Sequence, residues 1–361
     1  MDFLVAACIS FTLTFITLPV VINVLNSIDL LDIPDRRKIH KVSTPSLGGI
    51  PFVFSALLSL LIVMPFSDLA DIKFLLAGII ITFILGIRDD ISSLNARQKL
   101  VVQCLAAFLV VHFLGIYISS FYGFLGIQTI SPIIGKLISA LLIVILTNAF
   151  NLIDGIDGLA GGTAIMVFTF LGVWFNYNGI NAFSLLSISM ASAILAFMYF
   201  NWYPSKIFMG DTGSMVLGFT LSTTLIKFIQ VNEVATWARF DASVAMAIGL
   251  FILPIYDTLR VFFKRILQGK SPFQPDRNHV HHILLNFGLN HGQATTILLI
   301  FSIFMSAMSW LLQPLGNNIL IILQLATVTV LGSVLDYVIA KRLKRKERQL
   351  SGEQFTISKS A

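Results

Sequence analysis

Residues 137–162 read Leu137-Ile-Ser-Ala-Leu-Leu-Ile-Val-Ile-Leu-Thr-Asn-Ala-Phe150 and continue directly into Asn151-Leu-Ile-Asp154-Gly-Ile-Asp157-Gly-Leu-Ala-Gly-Gly162. The first part belongs to an apolar run over 132–150, close to the length of about 20 residues that crosses a bilayer as a helix. The second part places carboxylates and glycines immediately at its end. An apolar run that ends in this way predicts a membrane helix with a polar site at its boundary.

The composition excludes a water-soluble globular protein. Of the 361 residues, 56% are hydrophobic and 12% are charged, and the mean hydropathy is +0.88, whereas soluble domains carry about 25% charged residues. The net charge of +6 comes from Lys and Arg in short loops and in the C-terminal tail. This pattern is typical of membrane orientation, so no nucleic-acid partner is expected. Cys8 and Cys104 lie in apolar runs and form neither a metal-binding nor a disulfide pattern.

Apolar runs long enough to cross a membrane recur along the chain. The rule of about 20 apolar residues per helix predicts about eleven spans, at 3–25, 48–66, 72–88, 98–118, 132–150, 159–177, 182–200, 213–229, 241–263, 294–313 and 317–340. The first run lacks a basic leader and a small-residue cleavage site, so we expect it to be retained. We therefore predict an all-α polytopic membrane protein, with one transmembrane domain at 1–340 and a basic cytoplasmic tail at 341–361.

The distribution of Lys and Arg predicts the orientation of these spans. Of the 24 Lys and Arg residues, 20 lie on the side of the first loop and the C-terminal tail; those on the other side are Lys73, Lys136, Lys227 and Arg239. The positive-inside rule then places the N-terminus outside and the C-terminus in the cytoplasm. The conspicuous Asp and His residues of the loops also fall on the cytoplasmic side, so we expect substrate to be met there.

Asp89 and Asp90 end the third predicted span. Adjacent carboxylates repel each other, so at a membrane boundary they commonly share a cation, although a solvated helix end beside Arg88 is a simpler alternative. Lys99 follows at the start of the next span. Together these residues supply oxygen atoms that bind cations and a nitrogen atom that binds phosphate.

Two further acidic motifs border later spans. Asn151, Asp154 and Asp157 are spaced by three residues, which puts them on one face of a helical turn; an ordinary glycine-rich turn is the simpler interpretation. Asp211 opens the eighth predicted span, where it is either an N-cap or a Mg²⁺ ligand. The second interpretation is favoured beside the other acidic loops, because Mg²⁺ binds one or two carboxylates together with waters and substrate phosphates.

Two cytoplasmic loops combine arginine with acidic or histidine residues. They contain Asp35 and Arg36 in the first loop, and Arg277, His279, His281 and His282 in the longest. Three histidines suggest zinc, but no cysteine or other suitable fourth ligand lies near them. A guanidinium grips phosphate with two parallel hydrogen bonds, so we interpret these loops as anion-binding.

In this order the motifs resemble those of the polyprenyl-phosphate N-acetylhexosamine-1-phosphate transferases of bacterial cell-envelope synthesis. The resemblance runs from about Pro34 to His282 and is strongest to the UDP-GlcNAc:undecaprenyl-phosphate GlcNAc-1-phosphate transferases. It implies an enzyme of the bacterial inner membrane that uses Mg²⁺ to transfer GlcNAc-1-phosphate from a UDP-sugar donor to undecaprenyl phosphate and releases UMP. This would be the first membrane step of a cell-envelope polysaccharide such as lipopolysaccharide. A homodimer is a further candidate assembly.

The resemblance also implies roles for individual residues. These are a catalytic group of Asp89, Asp90, Asp154 and Asp157; a magnesium group of Asp211 and Asn151; Lys99 for the lipid phosphate; and Asp35, Arg36, Arg277, His279, His281 and His282 for the nucleotide sugar. Asp257 and Arg260 either fit the same branch of the family or form an exposed i,i+3 pair. The choice of Asp89 or Asp90 as base stays open, as does the choice between single displacement and an aspartyl-phosphate intermediate.

The donor and the protein class each have an alternative. The run His279-Val-His281-His282 departs from the unbroken triple histidine of phospho-MurNAc-pentapeptide transferases, which favours an N-acetylhexosamine donor. The sugar itself stays open, because relatives that use modified 6-deoxy amino sugars share the motif. A membrane transporter would place its ionisable groups near mid-membrane, often in inverted repeats, and the sequence shows neither feature.

Overall fold

The computed structural model describes residues 1–32, 43–269 and 279–359. Three of the predicted donor-binding residues, Asp35, Arg36 and Arg277, lie outside this part of the chain. The described α-helices are α1 (Asp2–Ser27), α2 (Gly49–Val63), α3 (Phe66–Ile91), α4 (Ala96–Phe108), α5 (Pro132–Ile153), α6 (Leu159–Tyr177), α7 (Asn181–Asn201), α8 (Gly210–Asn232), α9 (Ser243–Leu250), α10 (Ile252–Leu267), α11 (Val280–Asn286), α12 (His291–Leu311) and α13 (Gly316–Lys359).

A few short elements connect these helices. Strands β1 (Leu31–Asp32) and β2 (Thr44–Pro45) pair antiparallel, with Leu31 opposite Pro45. α4 passes into a π-helix at Leu109–Phe113, and 3₁₀ turns lie at Phe124–Gly126 and Gln313–Leu315.

The all-α polytopic class is confirmed. Within the described residues, nine helices are long and apolar enough to cross a membrane, and a tenth span results if α9 and α10, bent by 76° relative to each other, count as one. The remaining predicted span, at 48–66, coincides with α2, which is apolar but only 15 residues long. The number of spans, their orientation and the division at residue 340 therefore stay predictions; α13 itself continues to Lys359.

Side-chain caps define the first residues of α4 and α12. At Asn95 and Gln98, and again at Asn290 and Gln293, the side chain of each residue accepts a hydrogen bond from the backbone N–H of the other. These reciprocal caps satisfy N–H groups that a helix start leaves without a partner. Because α4 starts after Asn95, Lys99 lies one turn into it.

α8 is the most buried of the long helices: 89% of the residues in its apolar segment are buried, against 22% for α1. Its first turn packs backbone to backbone against two neighbours. A Cβ added at Gly49 of α2 would lie 2.3 Å from the backbone N of Gly213, and one added at Gly86 of α3 would lie 2.4 Å from the Cα of Thr212. These close approaches place the N-terminus of α8 beside the C-terminal end of α3.

Candidate active site

Asp90, at the end of α3, caps the first turn of α8. Its Oδ1 accepts a hydrogen bond from the backbone N–H of Asp211 at 2.8 Å, and its Oδ2 accepts from the backbone N–H and the hydroxyl of Thr212 at 2.9 and 2.6 Å. Gly210 has a φ of +72°, and a Cβ there would lie 2.6 Å from Asp90 Oδ2. A negative charge is favourable at a helix N-terminus. Asp90 therefore holds Asp211 in position.

Lys99 of α4 connects the carboxylates of two other helices. Its ammonium is ion-paired with Oδ2 of Asp89 and lies 3.0 Å from Oδ2 of Asp211. Asp89 is buried, and its Oδ1 accepts a hydrogen bond from the backbone N–H of Leu94 at 2.7 Å. One cation thus neutralises part of the charge that Asp89 and Asp211 bring to the site.

Asn151 contacts the other carboxylate oxygen of Asp211. Its Nδ2 donates to Oδ1 of Asp211 and to the hydroxyl of Ser214, both at 2.7 Å. Both amide hydrogens are used in this arrangement, so the carbonyl oxygen of Asn151 is the atom left to contact a ligand.

Asp154 follows α5 and differs from the other carboxylates in having no hydrogen-bond donor among the described residues. Its side chain borders the cleft. Burial raises the pKa of the Asp154 carboxyl well above its ordinary value, and the charges of Asp211, Asp90 and Asp157 raise it further. A group in this environment favours either a proton or a bound cation.

Asp157 joins the cleft wall to α12. Its Oδ2 accepts from the backbone N–H of Ser205 at 3.3 Å, and its carbonyl oxygen accepts from the hydroxyl of Thr295 at 2.7 Å. The Nδ1 of His291 lies 3.5 Å from Asp157 Oδ1, and the His291 ring stacks on Tyr203. His291 was not predicted as a site residue. The sequence does contain one indication of it: the capping pattern at 290–293 predicts a helix that begins at the cytoplasmic side, where the acidic motifs also lie.

Two of the three predicted histidines are buried behind the cleft surface. The Nδ1 of His279 lies 2.7 Å from Oδ2 of Asp257, whose Oδ1 accepts from the backbone N–H of Val280 at 2.7 Å. Burial, reinforced by the neighbouring His282 imidazole, lowers the pKa of His281 to about 3, so this ring is neutral at physiological pH. The His281 ring lies against Gly155, where an added Cβ would be 2.4 Å from Nε2.

Asp257 and Arg260 do not form the exposed i,i+3 pair that their spacing allows. Asp257 is buried and binds His279, whereas Arg260 forms two hydrogen bonds to the carboxylate of Asp336 on α13, at 2.6 and 2.8 Å. Asp257 therefore acts on the histidine helix α11, and Arg260 joins α10 to α13.

A cleft of about 560 Å³ brings the predicted residues of several helices together. It is lined by Asp89, Asp90, Lys99, Asn151, Asp154, Asp157, Asp211, His282 and His291, together with Ser46, Ser93, Asn201 and residues 155–156 and 208–210. His279 and His281 do not line it. Their place behind the surface shows that the histidine motif contributes one side chain to the cleft and two to its support.

The oxygen atoms of this cleft suit a hard divalent cation. No group of three His, Cys, Asp or Glu side chains in the described ranges has the arrangement of a metal cage. Mg²⁺ needs no such cage, because it binds one or two carboxylates and completes its shell with waters and phosphates. The carboxylate of Asp154, which has no donor within the described part of the chain, and the neighbouring Asp211 meet that requirement.

Comparisons with known proteins identify the family of this chain. The family model described as glycosyl transferase family 4 matches residues 72–229, which include both Asp89 and Asp211. A probable undecaprenyl-phosphate N-acetylglucosaminyl 1-phosphate transferase of Bacillus subtilis is 30% identical over 295 residues, covering 81% of this chain and 80% of the relative. The chain belongs to glycosyl transferase family 4. The predicted resemblance to the polyprenyl-phosphate N-acetylhexosamine-1-phosphate transferases is thereby confirmed, as is the prediction that the chain is an enzyme of this class.

Two further relatives in other bacteria extend this similarity. The chain is 30% identical to a decaprenyl-phosphate N-acetylglucosaminephosphotransferase of Mycobacterium leprae, with 76% of this chain and 74% of the relative covered. It is 25% identical to the undecaprenyl-phosphate alpha-N-acetylglucosaminyl 1-phosphate transferase of Escherichia coli K12, with 91% and 90% covered. The roles assigned to individual site residues stay predictions.

Proposed function

We propose that this glycosyl transferase family 4 member transfers GlcNAc-1-phosphate from UDP-GlcNAc to undecaprenyl phosphate and releases UMP. The observation that carries the proposal is the position of Lys99 between Asp89 and Asp211, in a cleft that also holds Asp154, to which none of the described residues donates a hydrogen bond. The names of the relatives in Bacillus subtilis and Mycobacterium leprae support this choice of sugar, and the name of the Bacillus subtilis relative supports undecaprenyl phosphate as the lipid. In this reaction a phosphate oxygen of the lipid attacks the sugar-linked phosphorus, and the bond from that phosphorus to the bridging oxygen of UMP breaks.

Lys99 holds the lipid phosphate in the proposed mechanism. Both reactants are anionic, so their approach requires positive charge within the cleft. The Lys99 ammonium already lies between two carboxylates at a helix end, which is the depth at which a lipid headgroup phosphate enters. The lipid chain can then remain in the bilayer throughout the transfer.

Asp89 is the better placed general base of the acidic pair. Asp90 already accepts three hydrogen bonds from α8, whereas Asp89 contacts Lys99 directly and so lies next to the phosphate that Lys99 would hold. Asp89 would take the remaining proton from that phosphate as its oxygen attacks. Direct displacement requires only these contacts; an aspartyl-phosphate on Asp89 is the two-step alternative.

Asp211 and Asp154, with the carbonyl oxygen of Asn151, are the groups that would hold Mg²⁺. When bound, this ion supplies positive charge to the donor diphosphate and stabilises the leaving UMP. Asn151 orients Asp211 toward the cleft through the bond at 2.7 Å. His282 and His291 line the same cleft and would contact the donor.

The donor is assigned as UDP-GlcNAc, and another UDP-N-acetyl sugar is the alternative. These two substrates place the enzyme in the bacterial inner membrane with its cleft facing the cytoplasm, because the lipid lies in that membrane and the UDP-sugar reaches it from the cytoplasm. Transfer of a sugar phosphate to a lipid carrier would be the first membrane step of a cell-envelope polysaccharide.

The test uses purified full-length protein with undecaprenyl phosphate and a panel of UDP-sugars. We expect UDP-GlcNAc to give a lipid product heavier by one GlcNAc-phosphate unit, together with one UMP per product, and we expect added Mg²⁺ to restore activity after chelation. Lys99→Ala should raise the KM for the lipid at least about tenfold, the effect of losing one charge-assisted contact. Lys136→Ala, at the other end of the bundle, is the matched control. No product from any UDP-sugar, or a Lys99→Ala variant with unchanged lipid kinetics, would contradict the proposal.

A further inference from the structure

A second cleft, of about 540 Å³, lies at the other end of the helix bundle. It is lined by the start of α3, the end of the π-helix, the turn between α6 and α7 and the last part of α8. Lys73 in this cleft and Asp89 in the candidate active site are both on α3, and sixteen residues of helix separate them by about 24 Å. The second cleft is therefore a separate site, and what it binds does not depend on the proposed function.

Charges of both signs line this second cleft. Lys73 and Lys227 provide two ammonium groups, and Asp68 and Asp71 provide two carboxylates. The Lys227 ammonium lies 5.4 Å from the centroid of the Phe183 ring. Neither lysine has a carboxylate within ion-pairing distance in the part of the chain that the structure describes.

The position of Lys227 points to an anionic ligand. The residue is partly buried on the most buried long helix, and an ammonium within a membrane helix is costly unless a counterion or water meets it. Lys227 lies five residues before the end of α8 at Asn232, which is about 8 Å. A lysine side chain that starts this close to the helix end can extend its ammonium to the headgroup layer of a bilayer.

Two phenylalanine rings form one side of the second cleft and extend to the surface of the protein. Phe74 and Phe113 line it and stack with their ring centroids 5.0 Å apart, and 53% of Phe113 is exposed. Phe113 is the last residue of the π-helix that follows α4. A ligand in this cleft can therefore be polar at one end and remain attached to an acyl chain at the other.

We propose that the second cleft binds the phosphoethanolamine headgroup of a zwitterionic phospholipid. The phosphate would lie between Lys73 and Lys227, and the primary amine would face Asp68 and Asp71. A phosphate alone would bring further negative charge beside the two carboxylates, and a choline group could not donate hydrogen bonds to them. The mixed charge of the cleft thus selects a headgroup that carries both an anion and an N–H donor.

The test titrates the full-length protein, in detergent, with phosphatidylethanolamine, phosphatidylglycerol and phosphatidylcholine of matched acyl chains and measures binding by native mass spectrometry. We expect phosphatidylethanolamine to bind most tightly. Lys227→Met should weaken its binding about tenfold, which is about 1.4 kcal/mol, and Lys227→Arg should retain it. Lys136→Met is the matched control, because Lys136 contacts Tyr117 and does not line this cleft.

A variant of Asp71 tests recognition of the amine separately from recognition of the phosphate. Asp71→Asn, at an exposed position, should weaken phosphatidylethanolamine binding and leave phosphatidylglycerol binding unchanged or stronger. Equal binding of the three lipids would overturn the proposal, as would equal losses in the Lys227→Met and Lys136→Met variants. Competition by soluble phosphoethanolamine at lipid-like concentrations would show that the ligand is not a lipid. If Lys227→Met does not fold, the Asp71→Asn result decides.

Discussion

The Asp154 carboxyl stores unfavourable free energy in the folded protein. Its pKa is raised, so the folded state binds this proton more tightly than the unfolded state does. The associated stability is fully present below the ordinary pKa of 3.8 and is lost as pH rises through the folded pKa. At neutral pH, without a cation, the Asp154 carboxyl therefore destabilises the fold, because it must either take up a proton or remain ionised where it is buried.

We predict that Asp154→Asn abolishes transfer and raises the thermal unfolding midpoint at neutral pH in the absence of Mg²⁺. The expected rise is about 2 °C for each kcal/mol of relieved repulsion, and it should shrink below pH 4 and on addition of Mg²⁺. Thermal scans with and without EDTA would measure it. Asp241→Asn, at an exposed position outside the cleft, is the control, and a midpoint that falls in Asp154→Asn at neutral pH would contradict the prediction.

Asp257 acts on the cleft through the histidine helix rather than by touching substrate. Asp257→Asn removes the charge that meets His279 and should shift α11, which carries His282 into the cleft. We expect the KM for the UDP-sugar to rise about tenfold while the KM for the lipid changes little, because a charge-assisted hydrogen bond is lost. Asp336→Asn breaks the exposed Arg260 pair on the same helix α10 and should leave both constants unchanged. Equal effects of the two variants on donor kinetics would show that Asp257 only stabilises the fold.

At the scale of helices, the site depends on how closely α3 approaches α8. Gly86→Ala would place a methyl group 2.4 Å from the Cα of Thr212, so the two helices must separate and Asp89 must move away from Asp211. We predict a loss of kcat of at least about tenfold in protein that still purifies as a folded monodisperse species. Gly78→Ala, about 12 Å away along α3, meets the Phe219 ring instead. It should lower thermal stability without a comparable loss of kcat.

The sequence predicted the positions of the long helices but not their bends or irregular turns. Runs of apolar residues located the long spans, because bilayer thickness sets a length that hydropathy can detect. The 76° bend between α9 and α10 was not predicted, because residues 241–263 form an apolar run with only three charged residues. Hydropathy does not register a bend, although Pro254 lies in the first turn of α10. The π-helix at Leu109–Phe113 was missed for the same reason, since one extra residue in a turn leaves no compositional signal.

The site was predictable as a set of residues but not as a set of contacts. Asp89, Lys99, Asn151, Asp154 and Asp211 stand out because only 12% of the residues are charged and these polar groups recur at the ends of apolar runs on one predicted side of the membrane. The sequence does not show that Asp90 caps α8 from another helix, since that contact spans 121 residues. Pairings of this kind depend on the packing of glycine-lined helices and are visible only in three dimensions.

At the scale of the whole molecule, orientation is the prediction with the widest consequence. We expect Ser92→Cys, which follows α3, to be protected from a membrane-impermeant thiol reagent in intact cells, and Thr236→Cys, between α8 and α9, to be labelled. Both positions are exposed, and the background should have Cys8 and Cys104 replaced by Ser. Labelling after permeabilisation is the control for reactivity. The opposite pattern would place the candidate active site outside the cytoplasm.

The length of α2 has a consequence for the bilayer around the protein. Its 15 residues rise about 22 Å, against a hydrocarbon thickness of about 30 Å, and Phe54, Leu61 and Ile62 on its surface are exposed. A short apolar helix that faces lipid draws the two leaflets together beside it. Ser46, just before α2, lines the cleft, so the thinned membrane would adjoin the site and bring lipid phosphates closer to it. Turnover in nanodiscs should therefore fall as acyl chains lengthen, and a flat dependence would show that the membrane keeps its full thickness at α2.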